Sequence, residues 1–207
     1  IIIAPINRVV GYDVRGVAFM HWWTFMSAFM EIGECNFSTY VHERLVELAK
    51  IAGYLHDIGN LVNREEHSQS GAIIAFRILD HLDLLPEEIG TIVTAIGNHD
   101  EGTGIPVSPV AAALILADKS DVRRNRVRNQ DESSFDIHDR VNYSVTKAEL
   151  KINKAQTIIK LKLTIDTRYG SVMDYFEIFL QRMILCRKAA ERLGLQFKLI
   201  INEQQLI

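Results

Sequence analysis

Five ionisable residues stand where apolar helical stripes run out. In GYLHDIGN, residues 53–60, His56 and Asp57 follow the stripe Leu45, Leu48, Ala49, Ala52, Leu55. The stripe Ile89, Ile92, Val93, Ile96 continues to His99, and Val110, Leu114 continue to Asp118. Counted backwards, Ile78 and Ile74 lead through Gly71 to His67. A buried carboxylate or imidazole without a partner is costly, or shifts its pKa until it is neutral. Four helices each turning such a group toward a shared core call for one compensating charge. A divalent cation supplies it, since imidazole nitrogen and carboxylate oxygen are ordinary ligands for Zn, Fe, Mn or Ni. Adjacent helical residues point about 100° apart. His56 and Asp57 therefore share a site only near the helix end, where Gly59 lets the chain turn away.

Taken singly, a core histidine is more often a hydrogen-bonded structural residue than a ligand, and Asp118 alone could be a salt-bridged core carboxylate; their convergence from separate helices favours the metal. The other histidines keep the ordinary explanation. His42 precedes the second helix, His81 sits beside Asp80 and Asp83 on a polar face, and His138 falls in a loop region. Met20, Trp22, Trp23 and Phe25 suit core packing.

The elements that must position the candidate ligands are helical from about residue 15 to residue 122. One helix carries the 45–55 stripe, and another begins near Gly71 and repeats Ile74, Ile78, Leu82. A third opens with Pro86 and Glu87-Glu88 in its first turn. A fourth starts at Ser108-Pro109, an N-cap followed by proline, and runs Val110, Leu114, Ala117. Past NQDESS the period changes to two. Ala148, Leu150, Ile152 and then Ile159, Leu161, Leu163, Ile165 predict two half-buried strands joined across Asn153 to Gln156. A long amphipathic helix follows (Val172, Phe176, Phe179, Met183, Cys186, Ala190, Leu193), and Phe197, Leu199, Ile201 form a closing strand. The expected fold is mainly α, a helical bundle over residues 1–130 with a strand–strand–helix–strand α+β appendage over 131–207. The appendage carries no ligand-like cluster and reads as a packing, dimerisation or lid module.

Composition bounds the function. The 207 residues are 48% hydrophobic and 24% charged, with formal charge −3. That balance argues against wholesale nucleic-acid binding, leaving room for a local basic patch. No apolar run is long enough to span a bilayer, and no N-terminal signal pattern is visible. Cys35 and Cys186 lie too far apart for a thiolate zinc motif, so a reducing cytoplasm is expected.

LHDIGN and LILADKSD resemble the His-Asp pair and the distal helical aspartate of the HD superfamily of metal-dependent phosphohydrolases, helical proteins with the pattern His…His-Asp…Asp. HSQSG, residues 67–71, resembles the His-x-x-x-Gly of its dinuclear members, and NHDEGTGIP, residues 98–106, the stretch that supplies their later histidines. Asn98 stands where some members have the first of two paired histidines, and Ile105 where they have tyrosine. Both departures argue against cyclic-di-GMP hydrolysis and a third metal. The resemblance implies an HD-type bundle and a six-ligand, two-ion set: His21, His56, Asp57, His67, His99, Asp118. His21 is chosen as first ligand over His42.

In that scheme Asp57 bridges two divalent transition-metal ions (Fe, Mn, Ni, Co or Zn, with Mg as a further option). His21, His56 and Asp118 complete one, and His67 and His99 the other. The bridged water would attack a phosphoryl group. The run DKSDVRRNRVRN supplies cations for phosphate, of which Lys119 and Arg123 lie nearest the ligand, with Asn98 as a further substrate contact. Lys119 and Asp121 are the remaining catalytic candidates, Asp121 ordering a water or an arginine. The implied substrate is a small phosphate ester, most simply a nucleotide. No membrane partner and no stable nucleic-acid complex are expected, and a homodimer is compatible. Two other functions fit the same ligands: a di-iron oxygenase and a regulatory metal-binding domain without turnover.

Overall fold

The computed structural model describes residues 36–127, 129 and 131–206, with side chains from Val41 onward. His21, Met20, Trp22, Trp23, Phe25, Cys35 and Arg128 lie outside the described residues. Contacts divide the chain into two units, Ile1–Glu47 and Leu48–Ile207. The described residues of the first unit are the start of one helix, and all the others belong to the second.

Six α-helices and four strands are described. Helix α1 spans Asn36–Leu55, α2 His67–Leu79, α3 Pro86–Gly97 and α4 Pro109–Lys119. Beyond them come α5 (Ile137–Ser144), β1 (Val145–Ile152), β2 (Ile158–Ile165), α6 (Val172–Arg192), β3 (Gln196–Ile201) and β4 (Gln204–Gln205). The mainly helical fold with a small C-terminal sheet is the one expected. None of the described helices is long and apolar enough to cross a membrane.

Local chemistry sets the helix starts. Ser108 Oγ accepts from the Ala111 amide at 3.1 Å, and Pro109 occupies the first turn, where its missing N–H costs nothing. At α6 the Ser171 hydroxyl accepts from the Asp174 amide, and the Asp174 carboxylate accepts from the Ser171 amide, at 3.0 and 2.8 Å.

Strands β1 and β2 form an antiparallel hairpin. The Asn153 carboxamide oxygen accepts from Thr157 and Ile158 amides across its turn. β3 lies parallel to β2, the connection running through α6, and the short β4 closes the edge antiparallel to β3. Tyr175, Phe179, Met183 and Cys186 of α6 pack on the inward row Leu161, Leu163, Phe197, Leu199. The helical half has its own apolar cluster around Ala52, Ala75, Ile92, Ile96 and Leu114. Helix α4 serves both: Val110, Ala111 and Leu114 enter the helical cluster, while Ala112, Ile115 and Leu116 enter the sheet cluster.

Three expectations are corrected. Helix α2 begins at His67 and buries Gly71, Ala72, Ala75 and Leu79, leaving Ile78 and Leu82 exposed. Small residues there let the chain approach closely, so of the bulky apolar side chains Leu79 is buried while Ile73, Phe76 and Ile78 stay exposed. His138 stands in helix α5, not in a loop. That helix starts where the Asp136 carboxylate accepts from the Asp139 amide at 2.7 Å. It sends only Val141 and Ser144 to the core, too few to make a visible stripe. His42 lies within α1 and is exposed.

One backbone contact joins the His56-Asp57 turn to α2. A Cβ on Gly59 would overlap the His67 carbonyl oxygen and meet the Gly71 nitrogen at 2.6 Å. From the other side, a Cβ on Gly71 would meet the Gly59 nitrogen at 3.2 Å and the His56 carbonyl at 3.3 Å. Main chain rests on main chain, and no side chain fits between. Gly59→Ala is expected to destabilise the protein by about 1–3 kcal/mol through overpacking. Thermal unfolding followed by circular dichroism reads this, and an unchanged melting temperature would show that the crossing has slack.

Candidate metal centre

His56 follows the last residue of α1, and Asp57 precedes a short 3₁₀ turn, Ile58–Leu61. His67 opens α2 after Glu66, which takes the left-handed conformation at φ 53°. His99 follows the C-cap of α3, and Asp118 lies in the last turn of α4. Each imidazole is pinned in the same way. His56 Nδ1 bonds the Gly53 carbonyl at 2.7 Å, His67 Nδ1 the Arg64 carbonyl at 3.0 Å, and His99 Nδ1 the Ile96 carbonyl at 2.6 Å. A carbonyl only accepts, so Nδ1 donates and the Nε2 lone pair of the neutral ring is left free. Metal-binding histidines are oriented by such a bond.

The three Nε2 atoms converge on two carboxylates. His56 Nε2 lies 3.6 Å from Asp118 Oδ1 and 3.6 Å from Asp57 Oδ2. Asp57 Oδ1 lies 3.4 Å from His67 Nε2 and 4.0 Å from His99 Nε2. These separations exceed a good hydrogen bond. Donor atoms of His56, His99 and Asp118 fall within 4.8 Å of one another, as do those of Asp57, His67 and His99. His99 is fully buried, and its Nε2 has no hydrogen-bond partner among the described residues. An orphaned buried nitrogen calls for an explanation, and a cation supplies one.

The surrounding charges agree. Asp118 pairs with Lys119 at 2.7 Å, and Lys119 Nζ also lies 3.5 Å from Glu101 and 3.8 Å from Asp100. Arg182 of α6 pairs with Glu101 in turn. Among the described residues, Lys119 and Arg182 are the lysine and arginine paired with Asp100, Glu101 and Asp118, while Asp57 has imidazoles beside it, so the cluster has room for further positive charge. Burial alone would raise the Asp118 pKa, but His56 and Lys119 hold the carboxyl well below its ordinary value. The neighbouring Asp118 carboxylate raises His56 above its usual 6.5, against the effect of burial. Burial lowers His99, with Lys119 adding to it, which keeps that ring neutral and able to bind a cation.

Beside the ligands opens a cavity of about 250 Å³, lined by His56, Asp57, Asp118, Asp121 and Arg126 among others. Arg126 is the residue that sequence distance obscured. It lies eight positions past Asp118, but the turn Arg124–Arg126 brings it back, and Asp121 Oδ2 accepts from Arg126 Nη1 at 2.8 Å. Asp121 also accepts from Arg123 Nε at 2.5 Å, with Arg123 exposed. Lys119, expected to face substrate, is 4% exposed and turned into the carboxylate cluster. One residue on a helix rotates about 100°, so a neighbour of Asp118 points away from the opening that Asp118 faces. Asn98 donates from its side chain to the Thr94 carbonyl at 2.9 Å, back along its own helix.

The structure thus brings His56, Asp57, His67, His99 and Asp118 together. His21 lies outside the described residues. Neither the curated proteins nor the solved structures compared with the chain gave a match. The family model that does match is the HD domain, over residues 19–139, a span that takes in His21 and all five gathered residues. The family includes metal-dependent phosphohydrolases. With more than half of its length matched, and with candidate ligands gathered from four helices, the chain belongs to the HD domain family.

Proposed function

We propose that this protein is a metal-dependent phosphohydrolase acting on a small phosphate ester of the nucleotide class. The observation that carries the reading is the set of three imidazoles. Each is locked by a backbone carbonyl, and each turns Nε2 toward Asp57 or Asp118 beside an open cavity. His56 and Asp118 on one side and His67 on the other, with Asp57 and His99 between them, would hold two divalent ions. His21 is proposed as the sixth ligand. A divalent ion, when bound, supplies Lewis-acid polarisation and water activation.

The chain's own residues do the rest. Arg126 is placed to bind phosphoryl oxygens at the cavity, its planar guanidinium suiting that geometry. Asp121 orients Arg126. Asp57, about half exposed, is the carboxylate most open to substrate and water. Lys119 acts as a buried counter-ion that keeps Asp118 ionised.

Elemental analysis of the purified protein, followed by phosphate release from a panel of nucleotides and generic esters with Mn²⁺, Co²⁺, Fe²⁺ and Mg²⁺, tests the proposal. A mixed-valent di-iron centre without phosphate release would sink it in favour of an oxygenase. His99→Ala should remove bound metal while leaving the far-ultraviolet circular dichroism spectrum intact. Asp57→Asn is expected to lower turnover by about a hundredfold or more. Arg126→Ala is expected to raise KM more than it lowers kcat, by roughly tenfold.

Protons compete with metal for His56, whose folded pKa is raised. Metal affinity should therefore weaken as pH falls from about 8 to about 6. Calorimetric titration at several pH values measures this, and a flat profile would exclude His56 as a ligand.

A further inference from the structure

The sheet turns its inward row toward α6, and its outer positions are exposed or half-buried. β1 and β2 pair Lys151 with Lys160, Glu149 with Lys162 and Lys147 with Thr164. The parallel pairing sets Lys160 beside Lys198 and Lys162 beside Ile200. The alternate positions Leu161, Leu163, Phe197 and Leu199 are buried, so all of these residues lie on the outer face. Lys151, Lys160 and Lys198 therefore form a row across three adjacent strands, about 4.8 Å apart. Lys147 and Lys162 continue the positive field; Lys151 pairs with Glu149 at 2.7 Å and, with Lys147 and Lys162 nearby, lowers its pKa.

Like charges directly opposite on neighbouring strands are destabilising. Lysine on a sheet often guards an exposed edge against pairing. That explanation reaches Lys147 and Lys151 on the edge strand β1, and Lys198 as well, since β4 pairs with β3 only at Ile200 and Ile201; it does not reach Lys160 and Lys162 on β2, which has strands on both sides. In a chain of net charge −3, five lysines on one face are a local concentration of the opposite sign. Helix α6 covers the sheet's other face, and α4 with Asp118 packs against α6. The lysine face is therefore separate from the candidate metal centre.

We propose that this outer face binds the phosphate backbone of single-stranded nucleic acid without reading its bases. The cations are all lysines, point charges suited to phosphate oxygens. None of the outward positions named above is aromatic, so the face offers no platform for stacking a base. Next to the row Lys151, Lys160, Lys198 the face is hollowed, with a cavity of about 450 Å³ lined by Lys147, Lys162, Thr164 and Ile200 and by the carboxylates Glu149 and Glu203. A hollow fits one strand better than it fits a flat bilayer. The outward positions also lack the exposed large apolar side chains that enter a membrane interface.

Fluorescence anisotropy of a labelled oligouridylate of about 20 nucleotides, titrated with the full chain between about 50 and about 200 mM salt, tests this. Saturable binding is expected, with log K falling against log salt at a slope of roughly −3, for four or five phosphate contacts on a single strand. Lys160→Glu with Lys198→Glu should weaken binding by at least about tenfold, while Lys188→Glu, on the exposed side of α6, should change it by less than about twofold. Lys160→Gln alone, checked by circular dichroism, gives a milder loss in a variant that keeps its fold. The proposal is overturned by absence of binding, or by equal losses in the double variant and Lys188→Glu, which would mean net charge alone. Preference for a duplex of the same length, or binding to phosphatidylserine vesicles without binding to the oligomer, would also overturn it.

Discussion

The contact between Gly59 and α2 at Gly71 is the constraint from which the site's geometry follows. With no side chain on either residue, the turn carrying His56 and Asp57 lies against the start of α2, where His67 stands. A larger residue at either position would separate the donors by about the thickness of a methyl group, a large displacement for coordination chemistry. The carbonyls that accept from Nδ1 complete the arrangement, because each belongs to the residue three positions before its histidine. Ring orientation is thus set by the local backbone, with no need for long-range side-chain packing.

Electrostatics then decide which groups stay charged. Asp118 is mostly buried yet remains a carboxylate, because His56 and Lys119 lie against it. Lys119 is itself acceptable in the interior only because Asp118, Glu101 and Asp100 surround its ammonium. Removing one member leaves the others with uncompensated charge, so the cluster behaves as a unit. Arg182 extends it to α6 through Glu101.

Much of this was legible in the sequence, for a physical reason. An ionisable residue at the end of an apolar stripe is visible because the period of 3.6 places it on the buried face. His56, His99 and Asp118 were found in that way, and the strands by their alternation. Less visible was anything set by close approach or chain reversal. The buried face of α2 is made of Gly71, Ala72, Ala75 and one bulky residue, Leu79, so hydrophobicity points to Ile78 and Leu82 instead. Arg126 reaches the cavity only because a 3₁₀ turn folds it back over Asp121, and no periodicity encodes that. The inward turn of Lys119 was available from helix geometry alone, as the residue next to one that faces the opening.

Helix α4 contributes side chains to both apolar clusters and carries Asp118 in its last turn. It acts as a party wall, with the candidate metal-ligand residues on one side and α6 with the sheet on the other. A chain shortened before α6 would leave Ala112, Ile115 and Leu116 against water and deprive Glu101 of Arg182. In this protein, substitutions at the α4–α6 seam are a route by which changes remote from the candidate ligands shift the position of Asp118.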